Sequence, residues 1–131
     1  MQNNRVERFD SQLTGLLAEV DAHLEERFGH QLRRHPARPA EGRCANPQYD
    51  GLFSVVANFS AGIGSRLGPG YTLVVRAATL EAVSPEQQAA WEAEAVAWLR
   101  KRLPELFPGR ALTVSRDVYG WKIHGDLSLD G

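Results

Sequence analysis

Residues 52–80 read LFSVVANFSAGIGSRLGPGYTLVVRAATL, two alternating stretches on either side of a glycine-rich centre. In the first, Phe53, Val55, Ala57 and Phe59 fall on one face and Ser54, Val56, Asn58 and Ser60 on the other. In the second, Tyr71, Leu73, Val75 and Ala77 oppose Thr72, Val74, Arg76 and Ala78. A period of two is the signature of half-buried strands. Closing the centre symmetrically about Arg66 pairs residue 59 with 73, 57 with 75 and 55 with 77, and each pair is apolar, as a hairpin with one buried face requires. The expectation is an antiparallel hairpin.

A second hairpin follows nearer the C-terminus, Ala111 to Val118 and Trp121 to Leu129 around Tyr119 and Gly120, where glycine allows the positive φ of a tight turn. That closure pairs 118 with 121, 117 with 122, 116 with 123 and 115 with 124. Val118, Trp121, Ile123, Leu112 and Leu127 then share one face. Thr113, Ser115, Asp117, Lys122, His124 and Asp126 share the other, read as a solvent-facing polar surface with an Asp117 to Lys122 ion pair.

A helix precedes each hairpin. Val6, Phe9, Leu13, Leu16, Leu17, Val20, Leu24 and Phe28 recur at spacings of three and four, with Gly29 as the stop. Ser84, Pro85 and Gln87 supply the cap, a proline at the first helical position and a capping box for a helix running to about Leu103, where Pro104 should end it. Its stripe of Trp91, Ala95, Trp98, Leu99 and Leu103 should cover the first hairpin, with Trp91, Trp98 and Leu99 meeting Phe53, Phe59, Leu73 and Val75. The order α, β, β, α, β, β predicts an α+β domain over residues 1–131, with two helices on one face of a four-stranded, mainly antiparallel sheet.

The 131 residues suit one core, and a formal charge of −1 argues against a partner bound over a large charged surface, nucleic acid above all. The charge is uneven. Residues 1–26 carry −4, and the block from Arg27 to Arg43, most of it in the proline-rich, irregular stretch 29–50, carries +4 from Arg27, Arg33, Arg34, Arg38 and Arg43 against Glu41. The basic block is expected to lie against the first helix. One cysteine, Cys44, excludes an internal disulfide, no apolar run approaches the ~20 residues of a membrane span, and no export signal is legible. The expected setting is the cytoplasm.

No catalytic signature stands out. Ser115, His124 and Asp126 share a strand face, but the carboxylate lies beside the histidine along one strand, ~7 Å away, where it cannot orient the ring as a triad requires. His23, His30, His35 and Cys44 match no zinc spacing, so no metal or other cofactor is expected. The segment 62–70 has the flexibility to bring amides to an anion, yet it runs into a strand and lacks the helix N-terminus of phosphate loops. Arg116 is the local inconsistency, a guanidinium on an apolar face.

These features point to a non-enzymatic interaction module that binds itself as a homodimer, or another protein. The first helix is about 36 Å long at 1.5 Å per residue, too long for the sheet, so Val6, Phe9 and Leu13 should overhang it. That end, or an edge strand, is the expected contact. The alternative is a ligand-binding or catalytic domain for a small anionic molecule, its site built from the 62–70 glycine loop and nearby residues: Gly64, Arg66, Gly68, Arg76, Arg116, Tyr49 and Asp50.

Overall fold

A computed structural model of the chain describes residues 4–40, 50–118 and 120–125, with side chains from Arg8 onward. Its elements are α1 (Asn4–Phe28), β1 (Phe53–Ser60), β2 (Gly70–Ala77), α2 (Pro85–Leu106), β3 (Thr113–Asp117) and β4 (Gly120–His124). The fold is α+β, and the antiparallel sheet has the order β1-β2-β4-β3, with β1 and β3 at its edges. One face carries the core: Leu16, Val20 and Leu24 of α1 and Trp91, Leu99 and Leu103 of α2 are buried with Phe53, Val75, Val114 and Ile123.

The helix signals act as read. Gly29 donates to the Glu25 carbonyl at 2.9 Å, and a Cβ at Gly29 would lie 2.3 Å from that oxygen. At α2, the Gln87 amide donates to Ser84 Oγ at 3.1 Å and the Ser84 amide to Gln87 Oε1 at 3.0 Å, completing the capping box. The helix does not stop at Pro104. It continues to Leu106 at the loss of the one ladder bond that a Pro104 amide would have donated, and Phe107 then caps it by donating to the Leu103 carbonyl at 2.8 Å.

That extension removes the expected overhang. The Phe9 ring meets Phe107 at 4.9 Å and Tyr71 at 5.9 Å, with the Arg110 guanidinium over it, and both Phe9 and Leu13 are buried. Val6 lies outside the described side chains.

Both hairpin registers differ from expectation by two residues. Phe59 pairs with Tyr71, Ala57 with Leu73 and Val55 with Val75. In the second hairpin Asp117 pairs with Gly120, Arg116 with Trp121 and Ser115 with Lys122. A slip of two leaves every side chain on its assigned face, so hydrophobic patterning cannot distinguish the registers and turn geometry decides.

Two side chains depart from the expected core. Phe59 is 63% exposed, and Trp98 turns toward α1, stacking on His23 with ring centres 4.4 Å apart and donating to Glu19 at 3.2 Å. Trp91 does meet Phe53, edge-on at 5.1 Å.

Residues 29–40 contain no strand or helix. The segment is fastened by the His35 amide, which donates to the Ala78 carbonyl at 2.7 Å. Two arginines of the expected basic block engage groups other than the acids of α1, and Arg43 lies outside the described residues. Arg27 reaches Glu94 on α2 at 3.6 Å. Arg38 donates to the carbonyls of Gly51 at 2.7 Å, Asp50 at 2.9 Å and Phe53 at 3.0 Å, so burial of the chain turn before β1 recruits a guanidinium. Glu25 of α1 serves the backbone as well, accepting from the Leu52 amide at 2.9 Å.

Candidate functional site

Lys122 and Asp117 are buried on the face of the sheet that carries no helix, with only 2% and 6% of their surfaces exposed. Strand alternation sends both side chains to that face, as the sequence implied, but it is not open to solvent there. The segment between β1 and β2 covers them. Lys122 stands level with Thr72, and Asp117 lies two residues further from the loop's base at Gly70. To reach Asp117 the loop folds back roughly 14 Å along the sheet, at 3.4 Å per residue.

Two glycines make this approach possible. A Cβ at Gly62, whose φ is +96°, would lie 2.6 Å from the Gly68 backbone. One at Gly70 would meet the Lys122 stem at 2.9 Å and the Ile123 carbonyl at 2.5 Å. Any other residue at either position would lift the loop.

Beneath the loop, the polar groups are closely matched. Asp117 accepts from the Ser65 hydroxyl, from the Arg66 amide at 2.9 Å and from the Val118 amide at 2.7 Å. The Ser65 hydroxyl, the two amides and the Lys122 ammonium together hold the Asp117 carboxyl well below the usual carboxylate range, against the opposing effect of burial. Lys122 Nζ donates to Ser65 Oγ at 2.7 Å and to the Gly68 carbonyl at 2.8 Å, and lies 3.1 Å from Asp117 Oδ2. An ammonium has three protons, and here each has an acceptor. The loop's anion is thus supplied from within the chain.

The seven candidate ligand residues do not form one cluster. Gly64, Arg66 and Gly68 lie in the folded-back loop, and Arg66 Nη2 donates to the Arg116 carbonyl at 3.3 Å. Arg116 itself is exposed, its guanidinium 5.6 Å from the centre of the Trp121 ring, which resolves the inconsistency noted in the sequence. Arg76 is exposed on the helix-free face, opposite Ser54. Asp50 is buried beyond the other end of β1, about 25 Å from the base of the loop by strand length, and Tyr49 lies outside the described residues. Near Asp50, a groove of about 360 Å³ is lined by His35, Ala37, Arg38, Pro39, Ala77, Ala78 and Thr79.

Ser115 Oγ and His124 Nε2 are 2.8 Å apart, as diagonal rather than directly opposed neighbours; Asp126 lies outside the described residues. Among the described residues no three His, Cys, Asp or Glu side chains come together, and no helix is long and apolar enough to cross a membrane.

Ser65 had no part in the expected chemistry, and the Asp117 to Lys122 pair was expected on a wet surface. The legible signal was Lys122 itself, an ammonium between Trp121 and Ile123 in a chain with thirteen arginines and one other lysine, Lys101.

Comparison with known proteins gives two matches. Residues 4–125 match a protein family described as "Uncharacterised protein". An uncharacterized protein of Borreliella burgdorferi is 34% identical over 125 residues, which cover 95% of this chain and 98% of the relative. No solved structure matches.

Proposed function

The chain belongs to this family of uncharacterised proteins, and from its own residues we propose that it is a small non-enzymatic module acting through protein contacts, first of all with a copy of itself. The observation that carries this reading is the commitment of Lys122 and Ser65. A lysine acting as general base needs a free lone pair, and a nucleophilic serine needs a base ready to take its proton. Lys122 is an ammonium with an acceptor for each proton, and the Ser65 hydroxyl donates to Asp117. Among the described residues several large apolar side chains are exposed: Ile63 by 89%, Leu80 by 76%, and Phe59 and Val118 by more than half. Singly, such residues are ordinary; on a domain this small they favour contact over chemistry.

Light scattering tests the reading. At micromolar concentration the mass should approach twice 14.5 kDa and fall on dilution. A mass of 14.5 kDa that stays constant over about a tenfold concentration range would overturn it.

The alternative, a small-anion site at Gly64, Arg66 and Gly68, is favoured by the exposed Arg66 guanidinium and opposed by the engagement of the Arg66 and Leu67 amides with Asp117. Saturable shifts of the Gly64 amide on titration with inorganic phosphate would support it.

A further inference from the structure

We propose that the outer edge of β1 pairs antiparallel with β1 of a second copy, across a two-fold axis at Ala57, joining two four-stranded sheets into one; this rests on the self-association proposed above.

The two edges of the sheet are unequal. In the β1–β2 ladder the Ala78 amide donates to the Leu52 carbonyl at 2.6 Å, so even-numbered residues of β1 face β2 and odd-numbered ones face outward. Phe53, the first outward residue, is closed: Glu25 accepts from its amide at 3.3 Å and Arg38 donates to its carbonyl. Val55, Ala57 and Phe59 have no partner for their outward amides and carbonyls among the described residues. The strand FSVVANFS holds no charge, proline or glycine, the residues that blunt an edge against pairing.

The opposite edge is guarded. Arg100 donates to the outward carbonyl of Val114 at 2.9 Å, and Arg66 to that of Arg116 at 3.3 Å.

The free groups fix the register. A two-fold pairing that uses Val55, Ala57 and Phe59 must centre on the middle residue, placing Val55 opposite the partner's Phe59 and Ala57 opposite the partner's Ala57, with two hydrogen bonds in each pair. Centring on Val55 would bring the occupied Phe53 into the ladder. Centring on Phe59 would run into Ala61, beyond the strand. In the favoured register Phe59 gains a neighbour for its exposed ring, and Val56 lies opposite the partner's Asn58. Charge is complementary in the simplest sense, because an uncharged strand meets its copy without opposing like charges.

Sedimentation of the full chain tests this. Ala57→Pro removes an amide that no internal ladder uses, so the variant should fold and its dimer dissociation constant should rise by at least about tenfold. Asn58 is exposed on the helix-free face, and in this register it is a diagonal neighbour of the partner's Asn58, within reach of long side chains. Asn58→Lys alone and Asn58→Glu alone should each weaken the dimer, and an equal mixture should restore it as a heterodimer. A wild-type dimer indifferent to the Asn58 variants would overturn the β1 pairing and leave self-association standing. A wild type that is monomeric throughout would overturn both. Should Ala57→Pro lose its far-ultraviolet helix signal, the Asn58 exchange decides alone.

Discussion

At the β3 edge, guanidiniums arriving from α2 and from the glycine loop occupy the carbonyls of Val114 and Arg116. At the β1 edge, among the described residues, guards occupy Phe53 alone and the next three outward residues have no partner. One of the two guards on β3 depends on a latch: Arg66 sits at the Arg116 carbonyl in the loop that Ser65, Asp117 and Lys122 fasten down. Protection of the β3 edge is therefore in part tertiary: long cations brought from elsewhere in the chain add to the charge that the strand itself carries at Arg116.

The comparison breaks most severely at the latch. Lys122→Met leaves a buried carboxylate without its cation and should cost about 3 to 5 kcal/mol in urea unfolding. It should also release Arg66 and turn β3 into a second sticky edge, seen as aggregation beyond the dimer. A loss below about 1 kcal/mol would mean that the loop lies down without the ion pair.

Acid probes the same device from its partner. A carboxyl held low in the fold contributes stability that is fully present above its unfolded value, about pH 4, and is lost as pH falls through the lower folded value. Asp117 is such a group, and Glu19, held low chiefly by its hydrogen bond from Arg102, is another. Stability should decline on acidification below about pH 4, and Asp117→Asn should reduce that slope without abolishing it. An unchanged slope would contradict the assignment.

The helices, the faces of the strands and the capping box were legible because each rests on local periodicity or on neighbouring residues such as Ser84 and Gln87. The registers were not, since a period of two repeats after every slip of two. The latch was hidden for a different reason. Its partners Ser65 and Asp117 are 52 residues apart, and only the lack of side chains at Gly62 and Gly70 lets the loop reach across the sheet. The cover over Phe9 likewise came from Phe107, beyond a proline that normally ends a helix.

Opening the β3 edge without touching the latch is a milder test. Arg100→Met removes one guard and should cost about 0.5 to 1.5 kcal/mol, with a larger effect on solubility than on stability. Equal solubility would show that Val114 needs no cover. Smallest of all, Ser115→Ala should stay within about 0.5 kcal/mol of wild type, because Ser115 guards neither edge and its bond to His124 lies on a half-exposed surface.

Hydrogen exchange along β1 at two protein concentrations tests the open edge most directly. In dilute monomer the inward amides of Val56 and Asn58 should exchange slowly while those of Ala57 and Phe59 exchange fast; at high concentration Ala57 and Phe59 should become protected as the copies pair. Slow exchange of Ala57 and Phe59 already in the monomer, or fast exchange in a fully formed dimer, would contradict the account.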